Sequence, residues 1–165
     1  PRPPFTNKSP THPGRIGWLA TDFPDAKFIH LTRDPRELFP STCRLWRGLD
    51  EVQALQKPHG EGLEDYVIEC LQRMYTAFHR QRGEVDPSRV VDIRYEDLVR
   101  DPVAILRGIY ETLRLGDFES VEPILQDWVE SEHRTYQPNR HQLPPDKDAM
   151  IREAWRDYFE TYHYG

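Results

Sequence analysis

An arginine and a serine eight residues apart form the pattern with the clearest chemical meaning in this sequence. Arg33 falls where a short β-favouring stretch would end, and Ser41 falls near the start of the helical spacing that follows. A strand that turns into a helix points the first helical amides at the turn, which suits an anion. A guanidinium and a hydroxyl there could hold one phosphate together. The same Arg-Asp-Pro sequence is also an ordinary helix start, with the arginine paired to a nearby carboxylate.

The elements that place these two residues follow from hydrophobic spacing and capping. Residues 28–32 (FIHLT) predict a buried strand. Asp34 is a favourable N-cap, and Pro35 suits the first position of a helix or a turn. Pro40 lies beyond the first turn, where proline removes a backbone hydrogen bond at a cost of about 3 kcal/mol. We therefore predict that the helix begins near Phe39 and that a turn precedes it.

A second strand, over residues 89–95 (RVVDIRY), follows a long amphipathic helix over residues 63–82. A helix of this length is a sufficient crossover for parallel pairing of the two strands. Tyr95 and Arg33 then lie at the strand ends where open α/β sheets bind ligands. Tyr95 is thus a candidate binding residue, or else it packs under the next helix. The two acidic residues after it are expected to cap or orient, not to catalyse.

The C-terminal part predicts three more helices and a basic loop. One helix opens at Asp101, one is capped by Ser120 with its apolar residues facing inward, and the last begins at Asp146. Residues 133–145 (HRTYQPNRHQLPP) lack helical spacing and concentrate basic side chains, among them Arg140. Such a loop in an acidic chain is typical of a segment that covers a phosphate, or of an exposed connection.

Taken together and in order, these motifs resemble the sulfotransferase family, and in particular a bacterial-type branch of it. The resemblance rests on KSPTH and GRI within residues 8–16, FPDAKFI at 23–29, RDP at 33–35 with Ser41, and YEDL followed by DP within 95–102. It implies a P-loop NTPase-like α/β fold, with a short parallel sheet flanked by helices. In that family the matching arginine and serine bind the 3′-phosphate of 3′-phosphoadenosine 5′-phosphosulfate (PAPS).

The resemblance also implies a reaction and further site residues. Tyr95 matches a tyrosine that contacts the adenine in some members, and the stretch around Arg140 loosely matches a basic segment. The reaction is transfer of a sulfuryl group from PAPS to a hydroxyl or amine of a small-molecule or glycan acceptor, without a metal. As in phosphoryl transfer, positioning and charge stabilisation carry the catalysis. Lys8 can supply a cation and His12, with an ordinary pKa of about 6.5, a base. Otherwise Lys8 is an exposed loop lysine, and His12 bonds the loop backbone.

The chain departs from the family at its N-terminal side. Members carry a Gly- and Thr-containing loop that cradles the 5′-phosphosulfate, and no such loop occurs before Lys8. We therefore expect the 165 residues to form a single domain that is the C-terminal portion of a larger one. Two alternatives stay open: a non-catalytic nucleotide-binding or assembly module, and a P-loop nucleotide kinase relative.

The amino-acid composition disfavours several other classes of protein. A net charge of −6 disfavours a general nucleic-acid binder. No apolar run approaches the ~20 residues of a membrane span, and Cys43 and Cys70 predict free thiols. We expect no metal site, because the histidines and cysteines lack ligand spacing. A cytoplasmic location is the default expectation, although a targeting segment upstream of Pro1 would be out of view. Oligomeric state is open.

Overall fold

The computed structural model describes residues 5–53, 55, 60–138 and 140–165. Two parallel strands, β1 (Phe28–Thr32) and β2 (Val90–Arg94), form a small sheet. The α-helices of the described residues are α1 (Ile16–Asp22), α2 (Pro35–Gln53), α3 (Leu63–Arg82), α4 (Tyr95–Arg100), α5 (Pro102–Leu113), α6 (Glu122–Ser131), α7 (Pro145–Ala154) and α8 (Arg156–Thr161). The predicted α/β class and the parallel pairing are confirmed.

The sheet has a buried face and an open face. His30 and Thr32 are 5% and 2% exposed, whereas Ile29 and Leu31, which point the other way, are 50% and 46% exposed. The alternation follows from the period of two along a strand. In the parallel register Thr32 lies opposite Arg94, so both strands end at one edge of the sheet.

The hydrophobic core is built largely from α2, α3 and the C-terminal helices, on the buried face of the sheet. Phe78 of α3 and Ile151 of α7 are almost completely buried, and Trp155 packs edge-on against Phe39 of α2. Both cysteines are free thiols, with Cys43 in this core. The buried members of the cluster are Ile16, Phe39, Cys43, Val67, Tyr75, Phe78, Val85, Val90, Ile151, Trp155, Tyr158, Phe159 and Tyr164.

The predicted start of the second helix near Phe39 is wrong, because α2 already begins at Pro35 and includes Pro40. The carbonyl of Asp34 accepts the amides of Glu37 (3.0 Å) and Leu38 (2.9 Å), which are the first helical bonds. Phe39 is 2% exposed, and burial of such a side chain offsets a large part of one lost backbone bond.

Helix α6 also differs from its prediction. It begins at Glu122, and the Ser120 hydroxyl does not cap it but donates to the carbonyl of Asp117 (2.9 Å). Ile124 and Trp128 are 71% and 41% exposed, so part of the expected inward face is in contact with solvent. Within the described residues α6 packs against α5 and the 3₁₀ turn at His133–Thr135, and these neighbours leave part of its surface open to solvent.

Three further predictions need adjustment or lie partly outside the description. The last predicted helix is divided at Trp155 into α7 and α8. Helix α2 extends to Gln53 and therefore into the predicted loop 50–62. Within that loop the structure does not describe residues 54 and 56–59. The irregular segment predicted for residues 1–7 is described from residue 5 onward. No helix within the described ranges is both long and apolar enough to cross a membrane.

Candidate functional site

The turn between β1 and α2 consists of Arg33 and Asp34, and its own bonds hold it in shape. Asp34 is the N-cap, as predicted, because its Oδ1 accepts the amide of Arg36 (2.9 Å). The amides of Glu37 and Leu38 bond to its carbonyl. The first amides of α2 thus have partners inside the turn. An anion at this edge would therefore depend on side chains more than on helix amides.

Glu96 joins the two strand ends. It lies in the first turn of α4, immediately after β2, and its Oε1 accepts the amide of Asp34 (2.9 Å). Its Oε2 accepts the hydroxyl of Tyr164 (3.0 Å). For Glu96, the prediction that it caps or orients agrees with these contacts. The carboxylate fixes the turn after β1 relative to the end of β2.

Arg33 and Tyr95, both predicted to bind the cofactor, lie against each other. The guanidinium carbon of Arg33 is 4.6 Å from the centre of the Tyr95 ring, a cation–π geometry. The Tyr95 hydroxyl lies 2.6 Å from that of Tyr136, in the predicted basic loop. Burial, together with this hydrogen bond, raises the pKa of Tyr95 to about 12, so the phenol stays neutral at physiological pH. The result is a cation over a neutral aromatic platform.

Ser41 and Arg140 flank the turn on different elements. Ser41 lies half-buried in α2, two helical turns after Asp34 and therefore on the same side of that helix. Arg140 is exposed, and the amide of its neighbour His141 donates to Glu37 Oε2 (3.0 Å). This bond brings the basic loop to the first turn of α2. Glu37 was not singled out by the sequence, since an acidic residue in a first helical turn is common.

Lys8 and His12, the predicted catalytic pair, lie in the N-terminal segment. Lys8 is exposed and His12 is half-buried, just before a 3₁₀ turn at Pro13–Arg15. Gln81 of α3 anchors the segment, donating to the carbonyl of Gly14 (3.0 Å). Among the described residues, no hydrogen bond or ion pair joins Lys8 or His12 to the Arg33–Asp34 turn. The structure brings Arg33 and Tyr95 together, whereas Lys8 and His12 lie on a separate segment that is anchored to α3.

A pocket of about 410 Å³ opens beside the turn and is lined by Asp34, Arg36, Glu37, His141, Leu143, Pro145 and Asp148. Of these lining residues, Arg36 forms ion pairs with Asp34 (3.0 Å) and Asp148 (3.2 Å). Within the described part of the chain, no group of three or more His, Cys, Asp or Glu side chains could hold a metal ion.

Several known proteins are similar to this chain in sequence. The model of the Sulfotransferase family matches residues 1–120. The chain is 40% identical over 157 residues to omega-hydroxy-beta-dihydromenaquinone-9 sulfotransferase Stf3 of Mycobacterium tuberculosis. This match covers 95% of this chain and 40% of that protein. It is 33% identical over 146 residues to carbohydrate sulfotransferase 1 of Danio rerio, covering 79% of this chain and 32% of that one.

The fold has a counterpart among solved structures. The crystal structure of sulfotransferase STF9 from Mycobacterium avium matches with a TM-score of 0.74 and 22% identity, covering 93% of this chain and 40% of that one. The chain thus spans about two-fifths of the mycobacterial relatives it matches. On the family match and the 40% identity, the chain belongs to the sulfotransferase family.

Proposed function

We propose that this chain forms the part of a PAPS-dependent sulfotransferase that binds the 3′-phosphate and adenine of the donor. The observation that carries the proposal is the contact between Arg33 and Tyr95 at the shared end of two parallel strands, in a chain of this family. Arg33 would bind the phosphate, with Ser41 donating from α2. Tyr95 would contact the adenine, and Arg140 would cover the phosphate from the loop.

The reaction would be sulfuryl transfer to a hydroxyl or amine of a small-molecule or glycan acceptor. The relatives are named for acceptors of two kinds, a dihydromenaquinone derivative and carbohydrates. The pocket beside the turn, with its carboxylates and His141, is a place for such an acceptor. Lys8 would stabilise charge on the leaving group and His12 would accept the acceptor's proton, which requires the N-terminal segment to approach the donor.

The P-loop-like element that would bind the 5′-phosphosulfate has no counterpart in this sequence. We propose that a longer polypeptide supplies it and covers the open face of the sheet at Ile29 and Leu31. The support is the coverage of only two-fifths of the mycobacterial relatives and the exposure of these two apolar side chains. A parallel sheet normally has helices on both faces.

Calorimetric titration with adenosine 3′,5′-bisphosphate and with ATP tests the donor site. We expect a preference for the bisphosphate, and we expect Arg33→Ala to weaken its binding about 10- to 100-fold, as for loss of a charge-assisted hydrogen bond. Arg73→Ala is the matched control, because Arg73 is exposed on α3 and pairs with Glu69. It should bind the bisphosphate like the wild type.

Other outcomes would favour the alternatives. A preference for ATP, or equal weakening by Arg33→Ala and Arg73→Ala, would contradict the donor site. Tight bisphosphate binding without transfer, in a longer protein that contains this chain, would support a non-catalytic module.

A further inference from the structure

Two tyrosines near the C-terminus have hydroxyls that contact the Arg33–Asp34 turn directly or through one residue. The Tyr158 hydroxyl donates to the carbonyl of Arg33 and accepts its amide, each at 3.1 Å. The Tyr164 hydroxyl donates to Glu96, which in turn accepts the amide of Asp34. Both backbone amides of the turn are therefore held, directly or indirectly, by side chains more than 120 residues away in sequence.

The two hydroxyls are buried, and their positions are fixed by packing. Tyr158 and Tyr164 are 4% and 3% exposed, and the ring of Tyr75 lies edge-on to that of Tyr158 at 4.6 Å. The Tyr164 hydroxyl also lies 3.1 Å from Thr32 Oγ1, at the end of β1. A buried hydroxyl without a partner costs about 1–3 kcal/mol. The turn provides the partners of the Tyr158 hydroxyl, whereas Glu96 and Thr32 provide those of the Tyr164 hydroxyl.

Filling the core does not require these hydroxyls, since Phe159 packs in the same cluster without one. Their partners are the backbone of the arginine proposed to bind phosphate and the carboxylate that joins the two strand ends. Both tyrosines also lie outside residues 1–120, the stretch that matches the family model. We infer, on the basis of the proposed function, that Tyr158 is a positioning residue for Arg33 and that Tyr164 acts on the turn through Glu96.

Tyr158→Phe tests this role with little loss of volume. The readout is the ratio of affinities for adenosine 3′,5′-bisphosphate and adenosine 5′-monophosphate, which differ by the 3′-phosphate alone. We expect the ratio to fall about 3- to 10-fold, as for loss of a hydrogen bond, whereas a general packing defect would weaken both ligands equally. Tyr162→Phe is the matched control: its ring belongs to the same aromatic cluster, and among the described residues its hydroxyl makes no hydrogen bond to the turn.

Amide hydrogen exchange of Arg33 provides a second measurement that needs no ligand. We expect faster exchange in Tyr158→Phe than in the wild type or in Tyr162→Phe. If the wild type prefers the bisphosphate, an unchanged affinity ratio in Tyr158→Phe overturns the inference, whatever the exchange rate. If the wild type shows no such preference, the proposed donor site fails. Faster exchange would then still support positioning of the turn by Tyr158, and unchanged exchange would overturn it.

Discussion

At the scale of single residues, a buried histidine illustrates how the sheet tolerates polar groups in its core. His30 lies on β1, with Nδ1 2.7 Å from Asp92 Oδ1 and Nε2 3.1 Å from the Tyr75 hydroxyl. Asp92 also pairs with Arg82 at 2.6 Å. Both ring nitrogens have partners, so burial of His30 carries little penalty. Its contacts stabilise the pairing of β1 with β2 below the candidate site.

Asp92 gives this cluster a predictable pH dependence. Burial by itself raises the pKa of Asp92, but the hydrogen bond with His30 and the charge of Arg82 outweigh it, so the pKa lies below its ordinary range. The unfolded state therefore binds more protons as the pH falls below about 4, and the contribution of Asp92 to stability is lost as the pH falls through the folded-state pKa. At pH 7 we expect Asp92→Asn to lower the free energy of unfolding by about 1 kcal/mol, since the carboxylate is partly exposed.

Urea denaturation of both chains at pH 7 and pH 3 measures this difference, which should shrink at the lower pH. Asp127→Asn, which changes an exposed residue of α6, is the control and should have little effect at either pH. A difference of equal size at both pH values would contradict the role of the Asp92 charge.

At the scale of secondary-structure elements, α2 shows the balance between local propensity and burial. Pro40 lies in the sixth position of the helix and cannot donate to the carbonyl of Arg36. We expect Pro40→Ala to restore that bond and raise the free energy of unfolding by about 1–3 kcal/mol. Thermal unfolding measures the gain. Pro123→Ala is the control, because Pro123 lies in the first turn of α6, where no helical bond is lost. A Pro40→Ala chain no more stable than the wild type would show that Pro40 does not destabilise α2.

The elements that sequence patterns predict well are those with uninterrupted spacing. The bounds predicted for α3 and β1 agree with the structure, because neither stretch contains a proline and each is rich in residues that favour its element. The predicted burial of β1 holds on one face of the strand and not on the other. The start of α2 was predicted wrongly because the penalty of Pro40 can be read from the local sequence, whereas the compensating burial of Phe39 cannot. Phe39 packs against Trp155, which lies far away in the sequence. The positions of Arg33 and Tyr95 at one edge of the sheet follow from the ends of the two predicted strands. The contact of Tyr158 with the turn could not be predicted, because no local pattern indicates a contact between residues so distant in sequence.

At the scale of the whole molecule, the hydrophobic core extends further along the sequence than the stretch that matches the family model. The match ends at residue 120, but the core cluster includes Ile151, Trp155, Tyr158, Phe159 and Tyr164. Burial of each such side chain contributes about 1.5–3 kcal/mol, so the five together contribute on the order of 10 kcal/mol. A typical domain retains a net stability of only about 5–15 kcal/mol after the conformational entropy of its chain is subtracted, so it would not tolerate the loss of this much burial. The C-terminal helices are therefore part of the folding unit.

We accordingly expect a chain of residues 1–120 to lose the cooperative thermal transition of residues 1–165. Without the C-terminal helices Phe39 would lose its contact with Trp155, Tyr75 would lose its contact with Tyr158, and the Arg33–Asp34 turn would lose the Tyr158 hydroxyl. Circular dichroism during heating, with near-ultraviolet spectra for aromatic packing, measures the loss. Removal of Gly165 alone, an exposed residue, is the control and should leave the transition unchanged. A cooperative transition in residues 1–120, at a midpoint near that of the longer chain, would show that the matched stretch folds without the C-terminal helices.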